Sequence, residues 1–233
     1  MGRTIIVGDV HGCIEELRVL EQKIRVESDD RWVFAGDLIH KGPHSEEVVR
    51  HVIAMSATCQ VDLVRGNHEE TALKKRDIDL RESEWAFLAA APRWQHVPGG
   101  LVVHGGIPEQ LTELPTDPAS VDALSNSKRK YFDQMLRLRF VSPDGKFRAL
   151  KDVGPDDKFW AERYDGRFGH VYFGHEPWDD SAPKRFENAA GIDLSCVFGG
   201  YLCAVVLTDG CGSDQPVTVR ARQQYCPRAD IGD

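Results

Sequence analysis

The chain has 233 residues, 41% of them hydrophobic and 28% charged, a balance that makes one compact domain with a buried core the expectation. Its formal net charge of −8 excludes a broad basic surface that would track a nucleic-acid backbone. Six cysteines, Cys13, Cys59, Cys196, Cys203, Cys211 and Cys226, lack the paired spacing of a metal ribbon and read as free thiols of a reducing compartment. No apolar run approaches the roughly 20 residues that span a bilayer. The first apolar run begins at Thr4, which leaves no room for a cleaved leader, so a soluble cytoplasmic protein is expected.

Short β-branched runs alternate with amphipathic segments, the pattern of a layered α/β domain. Thr4 to Val7 predicts a strand ending at Gly8, and the spacing of Leu17, Leu20 and Ile24 predicts a helix over 13–25. A second strand over 32–35 ends in Gly36-Asp37. A helix over 45–55 follows, with Glu46 and Glu47 in the first turn, where the helix dipole favours them. A third strand over 61–64 runs into Gly66-Asn67-His68-Glu69. Strands over 101–103 and 171–173 precede His104-Gly105-Gly106 and Gly174-His175. Between them, 115–127 is turn-rich and 128–139 basic and amphipathic, together predicting a helical insertion around 112–165 within a single domain of 1–233. After Gly191, the segments 192–194, 201–207 and 217–221 predict strands that close a second sheet.

In an open α/β sheet, ligands gather at the carboxyl ends of the strands, so residues just past each strand converge in space. Asp9 and His11, Asp37, Asn67, His104 and His175 all hold such positions. Carboxylate, imidazole and amide oxygen together suit divalent manganese, iron or zinc. The carboxylate after the second strand has two oxygens and could bridge two ions about 3.5–4 Å apart. A lone Gly-Asp after a strand is ordinarily a turn; five glycine-flanked strand ends in one chain are not a run of turns. The glycines permit positive φ and close approach of backbone to metal or phosphate. His44, His51, His96 and His170 have no such context and read as structural or solvent-facing. Trp160, Tyr164 and Trp178 read as core or rim, and Cys13 as a small buried residue at a helix start.

Taken in order, Gly8-Asp9-Val10-His11-Gly12, Gly36-Asp37, Gly66-Asn67-His68-Glu69, His104-Gly105-Gly106 and Gly174-His175 resemble the motifs of the phosphoprotein phosphatase family within the calcineurin-like metallophosphoesterases. The resemblance covers about residues 4–207. It implies an α/β calcineurin-like metallophosphoesterase fold, a central β-sandwich of two mixed sheets flanked by helices. It implies two divalent metal ions, one on Asp9, His11 and Asp37 and the other on Asp37, Asn67, His104 and His175. It further implies attack by a metal-bridging hydroxide and a general acid, His68, at the leaving group.

Within Gly36 to Gly42 the chain departs from the family's protein phosphatases, which carry Asp-Arg where His40-Lys41 stand. The lysine form, followed by Pro43 and Ser45, resembles the ApaH-like phosphatase branch, named for bacterial diadenosine tetraphosphate hydrolase. So does the segment Gly191 to Gly200, with Leu194-Ser195 in place of that branch's Thr-Gly. Lys41 would bind phosphate as a point charge, and a second phosphate clamp is expected in Arg137-Leu138-Arg139-Phe140, which resembles an arginine-containing segment of the ApaH group, with one of Arg137 and Arg139 touching the substrate. A phosphate or nucleotide departs as a stable anion and needs little protonation, so phosphoanhydrides of nucleoside polyphosphates are the expected substrates. Capped RNA, polyphosphate and a phosphoprotein are the alternatives, the last making the chain a protein Ser/Thr phosphatase. A metal-binding scaffold with weak catalysis is the alternative from another class.

Overall fold

The computed structural model describes residues 2–208 and 214–230; Cys211 lies outside them. The first half runs β1 (Thr4–Val7), α1 (Ile14–Ile24), β2 (Arg31–Phe34), α2 (Ser45–Met55), β3 (Gln60–Leu63), α3 (Asn67–Lys75) and α4 (Glu82–Ala90). It continues through β4 (Trp94–Val97), β5 (Gly100–Val103), α5 (Asn126–Gln134), β6 (Phe140–Val141), β7 (Phe147–Arg148) and β8 (Lys158–Phe159). The last third supplies β9 (His170–Phe173), β10 (Lys184–Arg185), β11 (Ala189–Gly191), β12 (Tyr201–Leu207) and β13 (Asp214–Arg220).

Two five-stranded mixed sheets stack as a sandwich, one ordered β13-β12-β1-β2-β3 and the other β10-β11-β9-β5-β4. Strict alternation along the strands builds it. Ile5 and Val7 of β1, Trp32 and Phe34 of β2, and Leu202 and Ala204 of β12 face outward onto α1, α2 and α4. Ile6, Val33, Cys203 and Val205 face inward and meet Val102, Tyr172 and Ala190 of the other sheet. Leu101, Val103, Val171 and Phe173 bury the second sheet's outer face against Phe132, Met135, Phe159 and Trp160. The central strands are therefore buried on both faces, which is why they read as unbroken apolar runs.

Two expectations are corrected. The segments 201–207 and 217–221 do not close the second sheet: β12 pairs antiparallel with β1 from Thr4↔Leu207 to Val7↔Ala204, and β13 extends that first sheet. Residues 192–194 form no strand, only an isolated bridge from Leu194 to Tyr201. The second sheet is instead built from β4 and β5 near the middle of the chain and β9 to β11 of the last third. Nor is 112–165 purely helical: beyond α5 and short 3-10 turns it holds the antiparallel sheet β7-β6-β8. Phe140 and Phe159 pair across that sheet and stack edge to face, 5.7 Å between ring centroids. Trp160 and Tyr164 are buried and Trp178 packs on the same cluster, as expected. Cys13, Cys59, Cys196, Cys203 and Cys226 are buried, and no disulfide joins them among the described residues. Among the described residues no helix is long and apolar enough to cross a membrane.

Candidate metal centre

The parallel strands β1, β2 and β3 of one sheet and β5 and β9 of the other present their carboxyl ends at the same edge of the sandwich. Asp9 and His11 follow β1, Asp37 follows β2, Asn67 opens α3, His104 follows β5 and His175 follows β9. The structure brings all six together, none more than 5% exposed. His11 Nε2 lies 3.6 Å from Asp37 Oδ2 and 4.0 Å from Asp9 Oδ2. From the other side His104 Nε2 reaches the same Asp37 oxygen at 3.3 Å and Asn67 Oδ1 at 2.8 Å. Two clusters result, His11–Asp37–His68 and Asp37–His104–His175, each with its candidate ligand atoms within 4.8 Å and both sharing Asp37.

The loops that deliver these groups are tightly constrained. His11, Asp37 and His175 have φ of 45°, 52° and 66°, left-handed backbone that non-glycine residues seldom adopt and that clusters at functional sites. A Cβ on Gly66 would lie 2.1 Å from Asp37 Oδ1, and one on Gly174 would lie 2.0 Å from Asp9 Oδ1. Glu69 ties the loops together: its carboxylate accepts the backbone N–H groups of Asp37 at 2.8 Å, Leu38 at 2.9 Å and Gly66 at 2.9 Å. His11 Nδ1 meets the Ile39 carbonyl at 2.9 Å and His104 Nδ1 the Ala35 carbonyl at 2.8 Å. A carbonyl only accepts, so each Nδ1 carries the proton and each Nε2 is turned inward.

The electrostatics fit a pair of divalent cations. Burial, reinforced by Asp193, raises Asp9 well above the usual carboxylate range, and burial lifts Asp193 to about 6. Burial would raise Asp37 too, but His104, His68 and His11 hold it well below the usual range. Burial opposes charge on His104, yet Asp37 and Asp9 carry it to about 9, an imidazolium standing among carboxylates where a cation belongs. His11 and His175 are held neutral by burial, the form that ligates. The His175 Nε2 atom is buried with no hydrogen-bond partner among the described residues, and it lies in the cluster with Asp37 and His104.

His68 turns Nε2 toward Asp37 Oδ2 at 3.9 Å, and burial lowers its pKa to about 4. Its Nδ1 meets His40 Nδ1 at 3.0 Å, and His40 Nε2 meets Asp77 Oδ1 at 3.3 Å. Lys41 Nζ lies 3.4 Å from His11 Nε2. A cleft of about 370 Å³ opens beside these groups, lined by His40, Lys41, His68, Thr71, Lys75 and Asp77. Of the two arginines expected at a second phosphate, Arg137 donates to Thr71 Oγ1 at 3.4 Å, on the rim of this cleft. Arg139 is 3% exposed, pairs with Glu176 at 2.6 Å and donates to the His175 carbonyl at 2.9 Å. It braces the loop that carries His175. Sequence reasoning gave no role to Glu69, Asp193 or Asp77. Glu69 had a signal, an acid three residues after the residue that precedes a helix, where it can accept that residue's N–H. Asp77, beyond the end of α3, had none.

A model of the calcineurin-like phosphoesterase family matches residues 2–200 of the chain. The asymmetrical bis(5'-nucleosyl)-tetraphosphatase PrpE of Bacillus velezensis is 29% identical over 84% of this chain and 86% of its own length. The symmetrical bis(5'-nucleosyl)-tetraphosphatase of a Janthinobacterium species is 27% identical over 88% and 93%. Among solved structures, one provisionally assigned as a diadenosine tetraphosphatase aligns with a TM-score of 0.72 at 27% identity, covering 94% of both chains. A protein serine/threonine phosphatase from Saccharomyces cerevisiae aligns at 0.67 but 17% identity, covering 94% of this chain and 79% of its own, a likeness of fold.

Proposed function

This chain belongs to the calcineurin-like phosphoesterase family, and we propose that within it the chain is a two-metal hydrolase of nucleoside polyphosphates, cutting phosphoanhydride bonds in molecules of the diadenosine tetraphosphate kind. One observation supports the two-metal reading: Asp37 stands between two separate sets of nitrogen donors, His11 at 3.6 Å and His104 at 3.3 Å, with the buried His175 Nε2, which has no hydrogen-bond partner among the described residues, in the second set. Asp9, His11 and Asp37 would hold one ion, and Asp37, Asn67, His104 and His175 the other. Divalent ions bound there make hydroxide available near neutral pH and offset negative charge on the phosphoryl oxygens. Donors of manganese, iron and zinc are all represented in this set.

The remaining residues act on the substrate. Lys41 and Arg137 flank the cleft and bind the phosphates that are not cleaved, Lys41 as a point charge and Arg137 with its planar fork. His68, whose Nε2 lies 3.9 Å from Asp37 Oδ2, would donate a proton to the departing oxygen. With its pKa held near 4 by burial, His68 is sparsely protonated at neutral pH. That suits a phosphate leaving group, which departs as a stable anion, better than a serine alkoxide. The names of the relatives support a nucleotide substrate; capped RNA and phosphoproteins find no support there.

The test compares kcat/KM for diadenosine tetraphosphate, inorganic polyphosphate and a phosphoserine peptide with manganese supplied. We expect the dinucleotide to lead the peptide by at least ~100-fold. A peptide preference would overturn the substrate assignment, and absence of turnover on all three in a metal-loaded protein would favour a scaffold.

A further inference from the structure

We infer that His40 is a positioning residue for His68, and that Asp77 holds His40 in place, in a chain Asp77–His40–His68 running from the protein surface to the reacting centre. The inference rests on His68 acting as the proton donor proposed above. The contact between His40 Nδ1 and His68 Nδ1 is 3.0 Å, and that between His40 Nε2 and Asp77 Oδ1 is 3.3 Å. A contact between two ring nitrogens is a hydrogen bond only when one proton lies between them. Asp77, as a carboxylate, can only accept, so His40 carries its proton on Nε2 and offers the Nδ1 lone pair. His68 then donates from its own Nδ1, which leaves Nε2 turned to the centre, 3.9 Å from Asp37 Oδ2. When the P–O bond breaks, the Nε2–H bond breaks with it and the proton passes to the leaving oxygen. His68 is left neutral with Nδ1–H still bound to His40, and it regains its proton from water. His40 and Asp77 exchange nothing with the substrate.

The backbone is shaped for this contact. His40 has a φ of 68°, and its N–H is held by Ser45 Oγ at 2.9 Å. The two rings meet edge to face, 5.1 Å between centroids. That turn points the His40 side chain across the cleft mouth to α3 instead of away into solvent. His40 and His68 are about one-fifth exposed, whereas Asp77 is 41% exposed. A half-exposed carboxylate holds a neutral ring weakly, so loss of Asp77 should matter less than loss of His40.

The experiment measures kcat and KM on aryl and alkyl phosphates whose leaving groups run from 2,4-dinitrophenolate through phenolate to methoxide. The manganese-loaded enzyme is compared with its His68→Ala, His40→Ala, His40→Gln and Asp77→Asn variants. Expected is a loss in His68→Ala that deepens as the leaving group becomes more basic. His40→Ala should show the same trend in kcat, ~10- to 100-fold on phenyl phosphate and less than about threefold on the dinitrophenyl ester, with KM little changed. His40→Gln, which keeps an acceptor, should recover part of the loss, and Asp77→Asn should show a smaller version of it. Turnover of the dinitrophenyl ester and bound manganese together report that each variant is folded. A His40→Ala loss equal across all leaving groups, or none while His68→Ala shows the trend, overturns the inference alone. A flat response in His68→Ala overturns the proton-donor role, and this inference falls with it.

Discussion

Replacing Glu69 with glutamine perturbs the candidate metal centre without replacing any proposed ligand. The Glu69 side chain joins the loop after β2 to the start of α3 by accepting three backbone N–H groups, two on Oε2 and one on Oε1. Glutamine keeps one carbonyl oxygen. Its best pose leaves that oxygen on Asp37 and Gly66 and turns the NH₂ group against the Leu38 N–H, which is buried and has then lost its acceptor. An unsatisfied buried N–H costs about 1–3 kcal/mol. A partial offset comes from removing charge, because burial and the neighbouring Asp37 have already lifted the Glu69 pKa to about 7. The net loss should be about 1–2 kcal/mol, or roughly 2–8 °C in Tm for a chain of this size. The larger effect falls on the metals, since groups that orient ligands are worth about 10- to 100-fold in affinity. Urea denaturation and a manganese titration against a competing chelator measure the two effects. Glu69→Ala, which removes all three acceptors, should be worse in both. A Glu69→Gln protein that binds manganese as tightly as the parent would refute the role assigned to Glu69.

Gly174→Ala places a methyl group 2.0 Å from Asp9 Oδ1 and should displace that carboxylate, weakening one metal by at least ~10-fold in calorimetric titration; two unchanged binding events would contradict this. Lys41→Met should raise KM for diadenosine tetraphosphate about tenfold, some 1.4 kcal/mol, and leave kcat within about threefold in steady-state assays; a loss confined to kcat would move Lys41 from binding to chemistry. Burial would raise Glu84, but hydrogen bonds from Arg81 and Arg50 bring it down to about 2. Its folded pKa is depressed, so its stabilisation is present above the ordinary value of 4.5 and is lost as pH falls toward 2. Glu84→Gln should lower stability at pH 7 by ~1–2 kcal/mol and flatten the decline between about pH 5 and pH 2, read by urea midpoints. An unaltered acid limb would place the sensitivity elsewhere.

The centre was legible in the sequence because each proposed ligand follows an apolar run and stands beside glycine, a local pattern that the parallel strands convert into convergence. Asp37 is the clearest instance: a residue at φ 52° between Gly36 and a buried Leu38 has few reasons to be an aspartate other than chemistry. The sheet to which a strand belongs is not local information. The 201–207 run alternates equally well for either layer, and only its pairing with β1 decides the matter. The setting of Arg139 was hidden for a related reason. A basic residue in an amphipathic stretch carries no mark of burial, and here the partners are Glu176 and a backbone carbonyl that arrive from the far end of β9. Asp77 reaches His40 across 37 positions, through the length and direction of α3. Glu69 could have been found, since its spacing from Gly66 is that of a helix-start acceptor, but its hold on Asp37 and Leu38 depends on the two loops meeting.

The central claim is that Asp37 is shared by two ions. Elemental analysis of manganese-loaded protein after desalting, run on the parent, His175→Ala and Asp37→Ala, tests it directly. The account predicts two ions per chain in the parent, one in His175→Ala, and fewer than one in Asp37→Ala with turnover down by at least ~1,000-fold. One ion in the parent, or two retained in Asp37→Ala, would contradict it.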